Sequence, residues 1–140
     1  QYSLIYPSSW EIEEDEENEM TTLYVPLKKD ENIYKQLQIS VARWEDGDLY
    51  EFLEQTFSES EMTNLYPDIT ILDLGEDETK ENQNHCFEMS YMMGEEKVTV
   101  LYYLEKKEDL IYLILASSPQ SEYAEYKKQY LRIIDSLRIR

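Results

Sequence analysis

The run Leu110-Ile111-Tyr112-Leu113-Ile114-Leu115-Ala116 is the longest uninterrupted apolar stretch in the chain. Its length suits a strand and falls far short of the roughly 20 residues that a membrane-crossing helix needs. Successive side chains of a strand point to opposite faces, so this one is apolar on both. Such a strand must be covered above and below. Whatever the chain folds into therefore carries a layer on each side of its sheet.

Two further strands lead into this one. Residues 86–93 turn at Gly94-Glu95-Glu96 into residues 98–105, and Lys106-Lys107-Glu108-Asp109 turns those into residues 110–116. Connections this short force antiparallel neighbours, because a parallel crossover takes about a dozen residues. Leu37, Ile39 and Val41 alternate with Gln38, Ser40 and Ala42, which predicts a strand with one buried face. Residues 2–6 read as a short strand ended by Pro7, and residues 10–14 as a second extended piece. Residues 23–27 read as a strand that Pro26 places at an edge, since proline cannot donate to a ladder. Residues 69–74 read as a strand stopped by Gly75.

Two helices are predicted. Asp46-Gly47-Asp48 gives a turn, and Asp48 with Glu51 matches a capping box. Leu49, Phe52, Leu53 and Phe57 then share one face, with Glu51, Glu54 and Glu59 elsewhere. Near the end, Ser118-Pro119 reads as an N-cap with proline at the first helical position. Tyr123, Tyr126, Tyr130, Ile133, Ile134 and Leu137 form one stripe, with Glu122 and Glu125 early and Lys127, Lys128 and Arg132 late, as the helix dipole favours. These elements predict an α+β fold: an α/β/α sandwich around a mostly antiparallel sheet of about six or seven strands.

With 140 residues, three glycines, four prolines and no internal repeat, the chain is the size of one domain, 1–140. Its formal net charge is −18, yet 41% of its residues are hydrophobic, too many for a disordered acidic tail. That charge argues against nucleic acid, whose phosphates need clustered Lys and Arg, and against anionic membrane surfaces. The one cysteine permits no internal disulfide and says nothing about redox compartment.

Chemistry is poorly marked. His85-Cys86 is the one pair that suggests a nucleophile with its base. Neighbours in a strand face opposite ways, however, so Cys86 reads as a small buried apolar residue. Zinc needs several Cys or His at tight spacing, and one of each is too few. The acidic run from Glu11 to Glu19 includes Glu13, Glu14, Asp15, Glu16 and Glu17, a weak candidate for cation binding without the glycine and Asp/Asn spacing of a calcium loop. Nothing singles out a carboxylate pair for glycoside hydrolysis, and the glycines are too dispersed for a phosphate loop. The 13 tyrosines, Met62 and the Met92-Met93 pair read mainly as core residues.

Three segments carry a resemblance. Tyr2-Ser3-Leu4-Ile5-Tyr6-Pro7-Ser8-Ser9-Trp10 resembles the F-x-x-x-Y-P-x-x-W opening of the PsbP-like superfamily. The helix after residue 48 is similar to that family's D-x-x-x-Y/F-x-x segment. Leu113-Ile114-Leu115-Ala116-Ser117-Ser118-Pro119, with Ile133-Ile134-Asp135-Ser136-Leu137, is similar to its l-t-a-s-a … i-i-x-S-f finish. The spacing matches from first strand to last helix, so the resemblance covers essentially the whole chain. It implies an α/β/α sandwich and no catalytic residues, and no cofactor is expected. Members of the family include the extrinsic subunit of the oxygen-evolving complex, a nuclear-import factor that binds the Ran GTPase, bacterial lipoproteins, and chaperones that shield membrane segments of type VI secretion effectors.

The Tyr6-Pro7 and Trp10 start is most similar to the bacterial lipoprotein, DcrB-like branch. The chain opens at Gln1 without an initiator Met, which predicts something cut off upstream: a signal peptide, a lipid anchor or an expression boundary. The expectation is a non-enzymatic binding domain of an extracytoplasmic, lipid-anchored bacterial protein, whose partner is an unidentified protein or envelope component. The rival is an intracellular chaperone that binds an apolar helix in a groove, and it predicts a dimer with a contiguous exposed apolar patch.

Overall fold

A computed structural model describes residues 2–45, 47–58, 62, 64–66 and 68–140. In chain order the described elements are β1 (Tyr2–Ser3), β2 (Glu11–Asp15), β3 (Met20–Tyr24), β4 (Gln36–Arg43), α1 (Leu49–Thr56), β5 (Thr70–Gly75), β6 (Gln83–Met93), β7 (Glu96–Lys107), β8 (Leu110–Pro119), α2 (Gln120–Asp135) and β9 (Arg138–Ile139). Asp46 of the turn and Glu59 of the first helix's polar face lie outside the described residues.

Seven strands form one sheet in the order β2-β3-β4-β8-β7-β6-β5, and β1 pairs with β9 in a second, two-stranded sheet. All neighbours run antiparallel. The centre is the hairpin of β7 and β8, as the both-faced apolar run requires. Residues 98–105 of β7 are buried without a break. In β8, Ile111, Tyr112, Ile114 and Ala116 are buried as well.

Each face has its own core. On one face, Leu37, Ile39, Leu101, Tyr103, Ile114 and Ala116 pack with Tyr123, Tyr130, Ile133 and Ile134 of α2, and Trp10 closes the cluster. The tyrosine stripe therefore faces the sheet, and Tyr130 Oη donates to the Ser117 carbonyl at 2.5 Å. On the other face, Leu49 and Phe52 of α1 pack with Phe87, Met89, Val98, Val100, Tyr102, Leu104 and Ile111. Each fully buried large apolar side chain contributes about 1.5–3 kcal/mol relative to exposure. The α1 start is fixed by Asp48, whose Oδ1 accepts from the Glu51 amide at 2.9 Å as the cap predicts.

Three sequence expectations need correction. The strand expected at residues 23–27 is β3 at Met20–Tyr24, and it lies inside the sheet between β2 and β4. Pro26 comes after it, where the chain has left the ladder, so the missing N–H costs no pairing. Ser118 does not cap α2. It is buried within β8 opposite Thr99, and its hydroxyl donates to the Pro119 carbonyl at 3.1 Å. Proline accordingly occupies the cap position, and α2 begins at Gln120. Met92 and Met93 are 42% and 52% exposed, because β6 extends beyond the cover that α1 provides. Lys35 is also buried, and there Glu31 and Glu122 neutralise it.

The loop between β5 and β6 is held by polar groups. Glu105 is buried, and its carboxylate accepts from Tyr103 Oη at 2.5 Å and Asn82 Nδ2 at 2.9 Å, with Lys80 Nζ at 3.6 Å. Asn84, also buried, accepts from the Asp77 amide at 2.8 Å and donates to the Asp77 carbonyl at 3.0 Å.

Two predictions follow from this packing. Burial raises the phenols of Tyr102, Tyr103, Tyr123 and Tyr130 above their ordinary 10.0. An unfolded chain releases those protons near pH 10 while the native state keeps them, so their stabilisation is whole below pH 10 and is lost above it. Tyrosinate absorbance from these four should rise in one cooperative step, together with loss of far-ultraviolet dichroism; independent titration without unfolding would contradict the packing. Second, Glu108 begins the β7–β8 turn at φ 54, where a Cβ is strained by roughly 1–2 kcal/mol. Glu108→Gly should raise stability by about 0.5–1 kcal/mol in urea unfolding, after the flexibility of glycine is set against the relief.

Candidate binding groove

The same face that α1 covers holds a groove at the β5 end of the sheet. Its construction begins with register. Ile71 pairs with Met89 and Asp73 with Phe87, but Gly75 pairs with Cys86, so β5 carries one extra residue at Leu74. Gly75 takes φ +77 at this bulge, a conformation other side chains rarely adopt. Just before the bulge, Asp73 lies diagonally across from His85 on the same face of the sheet. The imidazole Nε2 lies 3.0 Å from Asp73 Oδ1, and that same oxygen accepts from the Gly75 amide at 2.8 Å.

Aromatic packing forms the floor. Phe87 and Tyr102 stack with centroids 4.7 Å apart and planes at 6°. Phe57 stands edge-on to both, at 5.4 Å and 5.3 Å, and so fixes where the chain leaves α1. Tyr50 stands edge-on to His85 at 6.1 Å, and its hydroxyl donates to Glu76 Oε2 at 3.1 Å. Leu53, Phe57, Met62, Ile71, Phe87 and Met89 line an apolar space of about 360 Å³, with Asp73 and His85 at its polar side. That volume lies within the range of small-ligand or side-chain pockets. The His85 Nδ1 atom is buried and has no hydrogen-bond partner among the described residues.

The arrangement can hold an apolar group and present a fixed carboxylate beside it. His85 and Cys86 do not form a dyad, as strand alternation predicts. His85 faces the groove, while Cys86 packs against the α2 core on the opposite face. Burial, with a smaller contribution from the Glu88 carboxylate, pushes the Cys86 thiol up to about 11.

The acidic run lies at the other end of the sheet. Glu13 pairs with Thr22, Glu14 with Thr21 and Asp15 with Met20, so Glu13 and Glu14 point to opposite faces of β2. Glu16 and Glu17 fall in the turn that follows. Asp15 spends its oxygens on Asn18, accepting from the amide at 3.1 Å and from Nδ2 at 2.8 Å, which holds its carboxyl below the usual range. Among the described residues no group of three or more His, Cys, Asp or Glu is placed to hold a metal.

Sequence reading missed the Asp73–His85 pair, since the pair depends on the β5–β6 register, which neither segment shows alone. The available signal was Gly75, which marks the strand's end and also the bulge.

No family model matches the chain, and no curated protein matches it by sequence. Solved structures do. LpqN of Mycobacterium tuberculosis, described as involved in cell envelope biogenesis, is similar at TM-score 0.64 and 15% identity, over 97% of this chain and 81% of that one. Cyanobacterial PsbP from Synechocystis sp. PCC 6803 is similar at TM-score 0.55 and 11% identity, over 97% and 95%. A Bacteroides thetaiotaomicron protein is similar at TM-score 0.63 and 14% identity over 99% of this chain, which spans only 45% of that protein. At these identities the likeness is one of fold: the chain has the fold of cyanobacterial PsbP, as the resemblance in its sequence implied.

A test of the two faces follows. With its thiol near 11 rather than 9.0, Cys86 should react with a disulfide reagent at pH 8 at least tenfold more slowly than a free thiol, and at the unfolded rate only in denaturant. Fast native labelling would contradict its burial against α2.

Proposed function

We propose that the chain is a non-enzymatic binding domain, a single PsbP-like unit, of a bacterial extracytoplasmic protein that is lipid-anchored through an upstream segment and engages a protein or envelope component. One observation carries the reading: an open apolar groove lies beside a sheet edge that has no partner strand among the described residues. The fold shared with LpqN, described as involved in cell envelope biogenesis, supports the envelope setting. In that setting the net charge of −18 would keep the domain soluble and repel anionic envelope polymers. No helix among the described residues is long and apolar enough to cross a membrane, so any anchoring falls to another segment.

The intact mass of the native protein from membrane and soluble fractions of its source cells tests this. A membrane-bound form with a processed, lipid-modified N-terminus is the expected result. An unprocessed form in the soluble fraction would overturn it.

One observation favours the chaperone reading instead. Leu65, Tyr66, Ile71, Leu72, Met92 and Met93 are exposed apolar residues on or near β5 and the end of β6. Light scattering separates the two: a dimer favours the chaperone, and a monomer favours the envelope domain.

A further inference from the structure

The two edges of the seven-stranded sheet differ in chemistry. At one edge β2 reads Glu11-Ile12-Glu13-Glu14-Asp15, and its carboxylates discourage another strand from pairing. At the other, β5 reads Thr70-Ile71-Leu72-Asp73-Leu74-Gly75 with no lysine or proline, and Leu72 is 54% exposed. Its inner side is paired to β6 and no described strand takes its outer side. The bulge at Leu74 ends the regular ladder and leaves residues 70–73 as the stretch able to pair.

We propose that this edge receives an extended segment of a partner protein by strand addition, with an apolar side chain in the groove and a lysine or arginine at Asp73. The proposal rests on the binding-domain reading above and names the partner's chemistry. Ile71 and Asp73 are two residues apart and so share the groove face. The incoming strand alternates with the same period, so its anchor and its basic residue also stand two positions apart. The groove supplies an apolar pocket, and Asp73, with 70% of its side chain exposed, supplies a carboxylate already oriented by His85 and Gly75. Backbone pairing gives affinity in this mode, and the pockets give specificity.

Charge selects the occupant. A second copy would bring another −18 to the interface and, in an antiparallel β5–β5 pair, set two Asp73 carboxylates on one short ladder. A basic segment reverses that sign and gains from the same field.

The test is selection of a random twelve-residue peptide library against the full chain, followed by amide chemical-shift mapping with the enriched peptide. The expected consensus has a large apolar residue two positions from Lys or Arg, with shifts centred on residues 70–75 and 85–89. Asp73→Lys should weaken that peptide roughly threefold to tenfold, and Asp109→Lys, on the exposed β7–β8 turn, should leave it unchanged. A second concavity of about 300 Å³ lies around Gln36, Gln38 and Tyr91. Peptides that bind as amphipathic helices, or that shift that concavity instead, would overturn strand addition while leaving the binding-domain reading in place. No enrichment would overturn it as well, and so would light scattering that shows a dimer lost on Leu72→Lys, since a second copy would then own the edge. Fractionation judges the envelope reading separately.

Discussion

The β7–β8 hairpin, buried on both faces and hydrogen-bonded along both of its outer edges, is the constraint on which the remaining structure depends. Its residues leave no face for water, so a helix must close each side and further strands must flank it. The two-residue turn at Glu108-Asp109 makes the hairpin local in sequence, and the Gly94-Glu95 turn adds β6 at little entropic cost. Trp10, Tyr123, Tyr130, Phe52 and Phe87 all take their places from the surface this hairpin presents.

The two helical layers are unequal, and that inequality positions the candidate site. α2 has 16 residues, long enough to span the strands beneath it, whereas α1 has eight. Beneath the short helix the sheet is only partly covered, so apolar surface remains on either side of its aromatic cluster: the groove at β5, and a second concavity of about 300 Å³ around Gln36, Gln38, Tyr91 and Leu115. The edges are unequal too, one acidic and one apolar. A surface this negative tolerates an exposed apolar edge because like charge keeps copies apart.

Much of this architecture was legible in residues whose neighbours in sequence are also their neighbours in space. Residues 110–116 declared a doubly covered strand, the tyrosine stripe declared the face of α2, and Asp48 declared the start of α1. What escaped depends on distant register. Asp73 and His85 meet because the β5–β6 register sets Asp73 opposite Phe87, one diagonal step from His85. Lys35 is buried because Glu31 accepts its proton-bearing head, Glu122 lies 3.7 Å away, and the Tyr126 ring faces it at 5.5 Å, and three of these four residues carry charge that composition alone puts at the surface. Met92 and Met93 are exposed for the converse reason: they stand at the end of β6, beyond the cluster that packs under α1. The β3 position failed because Pro26 follows the strand instead of interrupting it.

The central claim is that one sheet holds a rigid middle and an open β5 edge. Native-state amide exchange by mass spectrometry, on the full chain at neutral pH, tests it most directly. The account predicts that amides of residues 98–105 and 111–118 exchange only with global unfolding, while those of residues 70–74 exchange orders of magnitude faster through local opening. Protection over residues 70–74 equal to that of β8 would contradict it, because the edge would then be covered.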